Sequence, residues 1–98
     1  MTKRSPLSKD EIEAALADLN EWRFEDDRLV KRFQFASFRE AMSFIVRLSF
    51  EAETLNHHPE LINVYNRVDV VLTTHDAGNK VTASDVALAQ SIEKFSWI

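Results

Sequence analysis

The chain has 98 residues, 45% of them apolar and 29% charged, with a formal net charge of −4. That length suits one domain, residues 1–98, built on a single hydrophobic core, and one Gly with two Pro argues against disorder. The absence of cysteine excludes disulfides and thiolate metal sites, and the acidic balance gives no electrostatic reason to expect direct nucleic-acid binding. The opening M-T-K-R-S-P-L-S lacks the apolar stretch of a signal peptide, and no apolar run reaches membrane-spanning length. The cytoplasm is therefore the expected location, without membrane contact.

Three segments begin with a hydroxyl residue followed three positions later by an acid: Ser8–Glu11, Ser37–Glu40 and Thr82–Asp85. This is the capping-box pattern, in which hydroxyl and carboxylate satisfy backbone N–H groups left open at a helix start. Each precedes an apolar pattern of period 3.6, which predicts helices over about Lys9–Leu19, Phe38–Asn56 and Ala83–Phe95. Leu7 with Ile12, and Val81 with Val86, are spaced as hydrophobic staples.

Between the first two helices lie Trp22–Phe24 and Leu29–Phe35, separated by the polar Glu25–Arg28. Alternation of Leu29, Phe33 and Phe35 with Val30, Arg32 and Gln34 predicts a half-buried strand in a hairpin. After Pro59 come Leu61–Tyr65 and Val68–His75, joined by Asn66-Arg67 as a tight turn. The order α-β-β-α-β-β-α predicts an α+β fold, a four-stranded antiparallel sheet with three helices on one face.

The second helix carries two apolar stripes. Phe38, Ala41, Ile45, Leu48, Ala52 and Leu55 are spaced as a core face. Met42, Val46 and Phe50 form a neighbouring stripe that Glu53 and His57 continue. So wide an apolar arc on a small domain predicts a partner for that helix, most simply a second copy of the chain. The plainer alternative is that Phe50 is just an exposed aromatic.

All three histidines fall between Glu53 and His75. Histidine is the side chain whose unperturbed pKa allows proton exchange near neutral pH. Glu53 and His57 are i and i+4 and share a helix face, as a surface ion pair or as an oriented site pair. Pro59 disfavours helical geometry at His58, so the two adjacent rings are expected to diverge, with His57 near the last helical turn. His75 ends a strand whose alternation puts Val68, Val70, Leu72 and Thr74 on one face and His75 on the other. Adjacent histidines rarely supply zinc geometry, and a three-His site would need His75 to converge on both. A metal site is not expected, and the three-His metalloenzyme is the weakest alternative. Asp85 reads as a capping residue, and Trp22 as a core or pocket-wall aromatic.

The spacing Glu53-x3-His57-His58-Pro59-x5-Tyr65-x9-His75-x9-Asp85 resembles the signature of the pterin-4a-carbinolamine dehydratase family. The block N-H-H-P-E-L-I-N-V-Y-N-R-V, the following L-T-T-H-D, Trp22 and Phe33-Gln-Phe35 are similar to family positions too, so the resemblance covers essentially the whole chain. Two departures stand out. Asn56 occupies a position where members often have Asp, and the 76–83 segment is as long as, or one residue longer than, that of some relatives. The resemblance implies dehydration of 4a-hydroxytetrahydropterin to quinonoid dihydropterin and water, recycling the pterin of aromatic amino acid hydroxylases without a metal or organic cofactor. It implies an acid/base pair of His57 and His75 with His58 positioning substrate. It also implies a pterin site lined by Asn56, Pro59, Thr73, Thr74 and Asp76, with contributions from Asp85 and Trp22, in which Glu53 grips the aminopyrimidinone edge. Family members also act as dimerisation cofactors of a homeodomain transcription factor in animals. That implies an alternative protein-binding role for the second helix, beside a homo-oligomer formed through that helix or a sheet edge.

Overall fold

In the computed structural model, which describes residues 5–95, each hydroxyl-and-acid pair does sit at a helix start. Ser8 Oγ accepts from Glu11 N at 3.1 Å, and Glu11 Oε1 accepts from Ser8 N at 2.8 Å, opening α1 (Lys9–Leu16). Ser37 Oγ caps α2 (Phe38–Thr54), while the Glu40 carboxylate reaches one residue further back, to Ala36 N. Thr82 Oγ1 accepts from Ser84 N and Asp85 Oδ2 from Thr82 N, opening α3 (Ala83–Phe95). Residues 1–4, on which part of the signal-peptide reading rested, and residues 96–98 lie outside the described segment.

The strands are β1 (Arg23–Glu25), β2 (Arg28–Gln34), β3 (Glu60–Val64) and β4 (Arg67–Leu72). They form one antiparallel sheet in the order β1-β2-β4-β3, so β1 and β3 are its edges. Leu29 and Phe33 of β2, with Val68, Val70 and Leu72 of β4, point into the core. Alternate residues Arg32 and Asp69 pair on the opposite face, with Arg32 Nε donating to Asp69 Oδ1 at 2.7 Å. The architecture is the predicted α+β order.

Several local expectations change. α1 stops at Leu16 because the chain tightens into i→i−3 turns, Asp18 N to Ala15 O and Leu19 N to Leu16 O, which still bury Leu19. The core face of α2 is Ala41, Phe44, Leu48 and Ala52. Phe38 and Leu55, expected there, are exposed, and the unforeseen Phe44 sits 4.7 Å from the Phe33 ring and 5.0 Å from the Phe35 ring. Burying such a ring stabilises the fold by roughly 1.5–3 kcal/mol. The second hairpin turns at Tyr65-Asn66, one residue early, because Asn66 is fixed to the end of β2: its Nδ2 donates to Phe35 O, and its carbonyl accepts from Phe35 N. Lys31, on the core face of β2, is buried but paired. Its Nζ donates to Glu93 Oε2 and Asn20 O, and Trp22 Nε1 donates to the same Glu93 oxygen, as a buried charge requires.

Candidate active site

α2 ends in a way that ejects His57 from the helix. Asn56 takes a left-handed conformation, φ 50°, and donates its N–H to Glu53 O, while His57 N donates to Ala52 O. These two bonds are a Schellman motif, with Asn56 at the position where Gly or Asn is favoured. The Asn56 that departs from the family pattern is thus suited to this left-handed turn. The expected Glu53–His57 contact does not form, because the helix has closed two residues earlier. Glu53 Oε1 instead accepts from His58 Nε2 at 2.8 Å, in solvent.

β3 and β4 pair with Glu60 opposite Val71. Carried three residues on, that register sets His57 level with Thr74, and both side chains meet Asp85. His57 is 4% exposed and Asp85 fully buried. His57 Nε2 lies 2.5 Å from Asp85 Oδ1, and Thr74 Oγ1 donates to Asp85 Oδ2 at 2.8 Å. Thr74 has one hydroxyl proton, committed to the carboxylate, so at the 2.7 Å contact between Thr74 and Thr82 the donor is Thr82. The proton order is therefore fixed throughout: Ser84 N–H to Thr82, Thr82 O–H to Thr74, Thr74 O–H to Asp85. A carboxylate only accepts, so His57 carries its proton on Nε2. Asp85 receives three hydrogen bonds, counting the one from Thr82 N, which is how a buried carboxylate is accommodated. Its capping role was legible in the sequence; its grip on His57, and the part of Thr82, were not. Nothing local links positions 28 apart, and the x9 spacing from His75 to Asp85 was the available signal.

His57 and Thr74, the two residues joined by Asp85, are each followed immediately by an exposed histidine. His58 precedes Pro59. His75, expected to end β4, instead opens a 3-10 turn, His75–Ala77, with Nδ1 3.3 Å from Asn79 Oδ1. Asp76 is exposed beside it, and Thr73 Oγ1 donates to Asp27 O. A groove of about 370 Å³ runs beside His58, lined by Leu48, Phe50, Ala52, Pro59 and Leu61 together with Glu53. Trp22 is set apart. It bonds Glu93, eight residues along α3 from Asp85, which is about 12 Å at helical rise. Among the described residues no group of three or more His, Asp or Glu side chains is arranged to hold a metal ion, and no helix is long and apolar enough to cross a membrane.

The α+β fold buries an imidazole–carboxylate pair and exposes two further imidazoles, side chains of the type used in general acid–base chemistry. The sequence model of the family described as "Pterin 4 alpha carbinolamine dehydratase" matches residues 5–95, and the chain belongs to this family of hydro-lyases. It is 59% identical over 92 residues to a relative from Opitutus terrae named as a pterin-4-alpha-carbinolamine dehydratase, with 94% of this chain and 95% of that protein covered. A relative of the same name from Metallosphaera sedula is 48% identical over 90% of this chain and 91% of its own. A crystal structure titled transcriptional coactivator/pterin dehydratase, from Brucella melitensis, superposes with a TM-score of 0.85 at 37% identity, covering 91% of this chain and 96% of that one. The fold is also shared, at 23% identity and a TM-score of 0.64, with a pterin dehydratase-like protein described as a RuBisCO assembly factor in the alpha-carboxysome.

Proposed function

We propose that this chain, as a single dehydratase domain, converts 4a-hydroxytetrahydropterin into quinonoid dihydropterin and water, recycling the pterin used by aromatic amino acid hydroxylases in the cytoplasm. The observation that carries the reading is the pair of exposed imidazoles, His58 and His75, presented from separate chain segments by one buried unit, His57–Asp85–Thr74. Dehydration breaks the C4a–O bond and forms C4a=N5. The leaving oxygen needs a proton, and a ring-nitrogen proton must depart. Two imidazoles suit the two transfers, each worth typically ~10²–10⁴ in rate.

We assign the acid and base roles to His58 and His75 in place of the His57–His75 pair that the resemblance implies. His57 is buried and its Nε2–H is engaged by Asp85, so its part is to hold the His57-His58-Pro59 segment in place. His58 takes the donor role, its ring oriented by the hydrogen bond to Glu53, and His75 takes the acceptor role. The groove beside His58 has the size of a small-ligand site. Its apolar walls suit the faces of a flat ring, and Glu53 suits a paired contact with the aminopyrimidinone edge. Asn56, Thr73 and Asp76 stand close in sequence to the two histidines and complete the pterin surroundings. The test is direct. The protein should accelerate the disappearance of chemically generated 4a-hydroxytetrahydropterin above its spontaneous rate, and no acceleration overturns the proposal.

A second role rests on the exposed side of α2, which shares Phe50 with the groove. Val46 is 56% exposed and Phe50 64%, with Phe38 also exposed at the start of α2, and the Brucella melitensis relative is titled a coactivator as well as a dehydratase. We assign this face to a homo-oligomer, with the β3 edge as a further contact. A protein partner of the coactivator type is the alternative occupant. Loss of partner binding with turnover intact in Val46 variants, a residue outside the groove lining, would separate the two roles.

A further inference from the structure

Each histidine faces an acceptor, but only one of those acceptors is uncharged. His57 meets Asp85, His58 meets Glu53, and His75 meets the Asn79 carboxamide. The geometry points to Asn79 as a positioning residue for the proposed dehydration. A carboxamide oxygen only accepts, so with Asn79 Oδ1 at His75 Nδ1 the ring proton sits on Nδ1, and the Nε2 lone pair is left to take the substrate's proton. The inference rests on the dehydratase reading above, and adds to it the residue that selects the tautomer of the proposed base.

The loop is built to return Asn79 to His75. Ala77 N and Asn79 N both donate to Thr74 O, Gly78 N donates to His75 O, and Thr74 N donates to Lys80 O. Gly78 and Asn79 are consecutive left-handed residues, φ 76° and 61°, a reversal that Gly tolerates freely and Asn better than most other residues. Lys80 then fastens the loop to the β1–β2 turn, its Nζ 2.9 Å from Asp27 Oδ2. An uncharged partner orients the imidazole without favouring its cation, which suits a proton acceptor. The choice of tautomer by the partner of the other ring nitrogen is a general property of histidine.

The test uses the full chain with ¹⁵N-labelled histidine, at a pH where His75 is neutral. Native protein should show His75 as the Nδ1–H tautomer. Asn79→Gly, which the left-handed backbone accepts, should shift His75 toward Nε2–H and lower kcat about three- to tenfold, the worth of one ordinary hydrogen bond, with KM little changed. Asn79→Asp, which restores an acceptor oxygen, should return the Nδ1–H signal. A native His75 in the Nε2–H form overturns the inference, and so does an Asn79→Gly variant with tautomer and kcat both unmoved. A changed tautomer with unchanged kcat overturns its catalytic half. A native protein without dehydratase activity sinks the proposed function instead, and the spectrum still decides whether Asn79 sets the tautomer.

Discussion

Replacing Thr74 with Val keeps the branched shape and removes one hydroxyl, which makes it a clean probe of the buried unit. That hydroxyl donates to Asp85 and accepts from Thr82, and the residue is wholly buried. Losing a hydrogen bond to a charged group costs about 1.5–3 kcal/mol, and leaving a buried hydroxyl without its acceptor costs about 1–3 kcal/mol more. Because the Thr82 proton can turn toward another acceptor, the two costs overlap, and a total of about 2–5 kcal/mol is expected. Against a stability of about 5–15 kcal/mol that is a large fraction. With a urea m-value of about 1–2 kcal/mol per molar, the midpoint should fall by about 1 M or more. Thr74→Ser, which keeps the hydroxyl, should recover most of the loss. Equilibrium urea unfolding followed by circular dichroism reads both variants. A Val variant within about 0.3 M of the native midpoint, at an unchanged m-value, would show that the hydroxyl chain does not hold the unit together.

Three further outcomes are expected. Phe50→Lys should lower the associated mass measured by light scattering, because it puts a charge into the desolvated contact proposed for α2; a native chain that is monomeric at micromolar concentration refutes that contact. Dehydratase activity should survive exhaustive chelation with EDTA, since the proposed proton transfers are made by imidazoles alone, and stoichiometric zinc lost together with activity would contradict this. Asp69 is held below its ordinary carboxyl value, chiefly by the side-chain hydrogen bond from Arg32. A depressed acid stabilises the fold above its unfolded pKa, and that contribution disappears as pH falls through the folded value. Arg32→Ala should therefore melt below the native protein at pH 5 and above, with the gap closing below about pH 3.8; a gap that is constant down to pH 2.5 would refute the assignment.

The helix starts were legible because capping is local chemistry, set by residues three apart, and the two hairpins followed from short turns between alternating runs; the pairing of β2 with β4 at the sheet centre was not written in either hairpin. Errors came where distant residues decide. Phe44 was passed over because only the packed helix shows which arc of its surface meets β2 and β4. The second turn slipped by one residue because Asn66 answers to Phe35, 31 positions away. The site showed the same division. The histidines announced themselves by type and spacing, whereas their partners did not. Glu53 serves His58 rather than His57 because the left-handed Asn56 closes the helix early, and burial of His57 depends on β3 and β4 being in register.

In the proposed reaction His58 and His75, carried by the buried His57–Asp85–Thr74 unit, perform the two proton transfers of pterin carbinolamine dehydration. Stopped-flow rates for 4a-hydroxytetrahydropterin, corrected for spontaneous decay, test this assignment in His58→Ala and His75→Ala proteins shown to be folded. Each substitution should lower kcat about a hundredfold or more, with smaller changes in KM. If either variant keeps the native kcat and changes only KM, that imidazole binds substrate without moving a proton, and the assignment is contradicted.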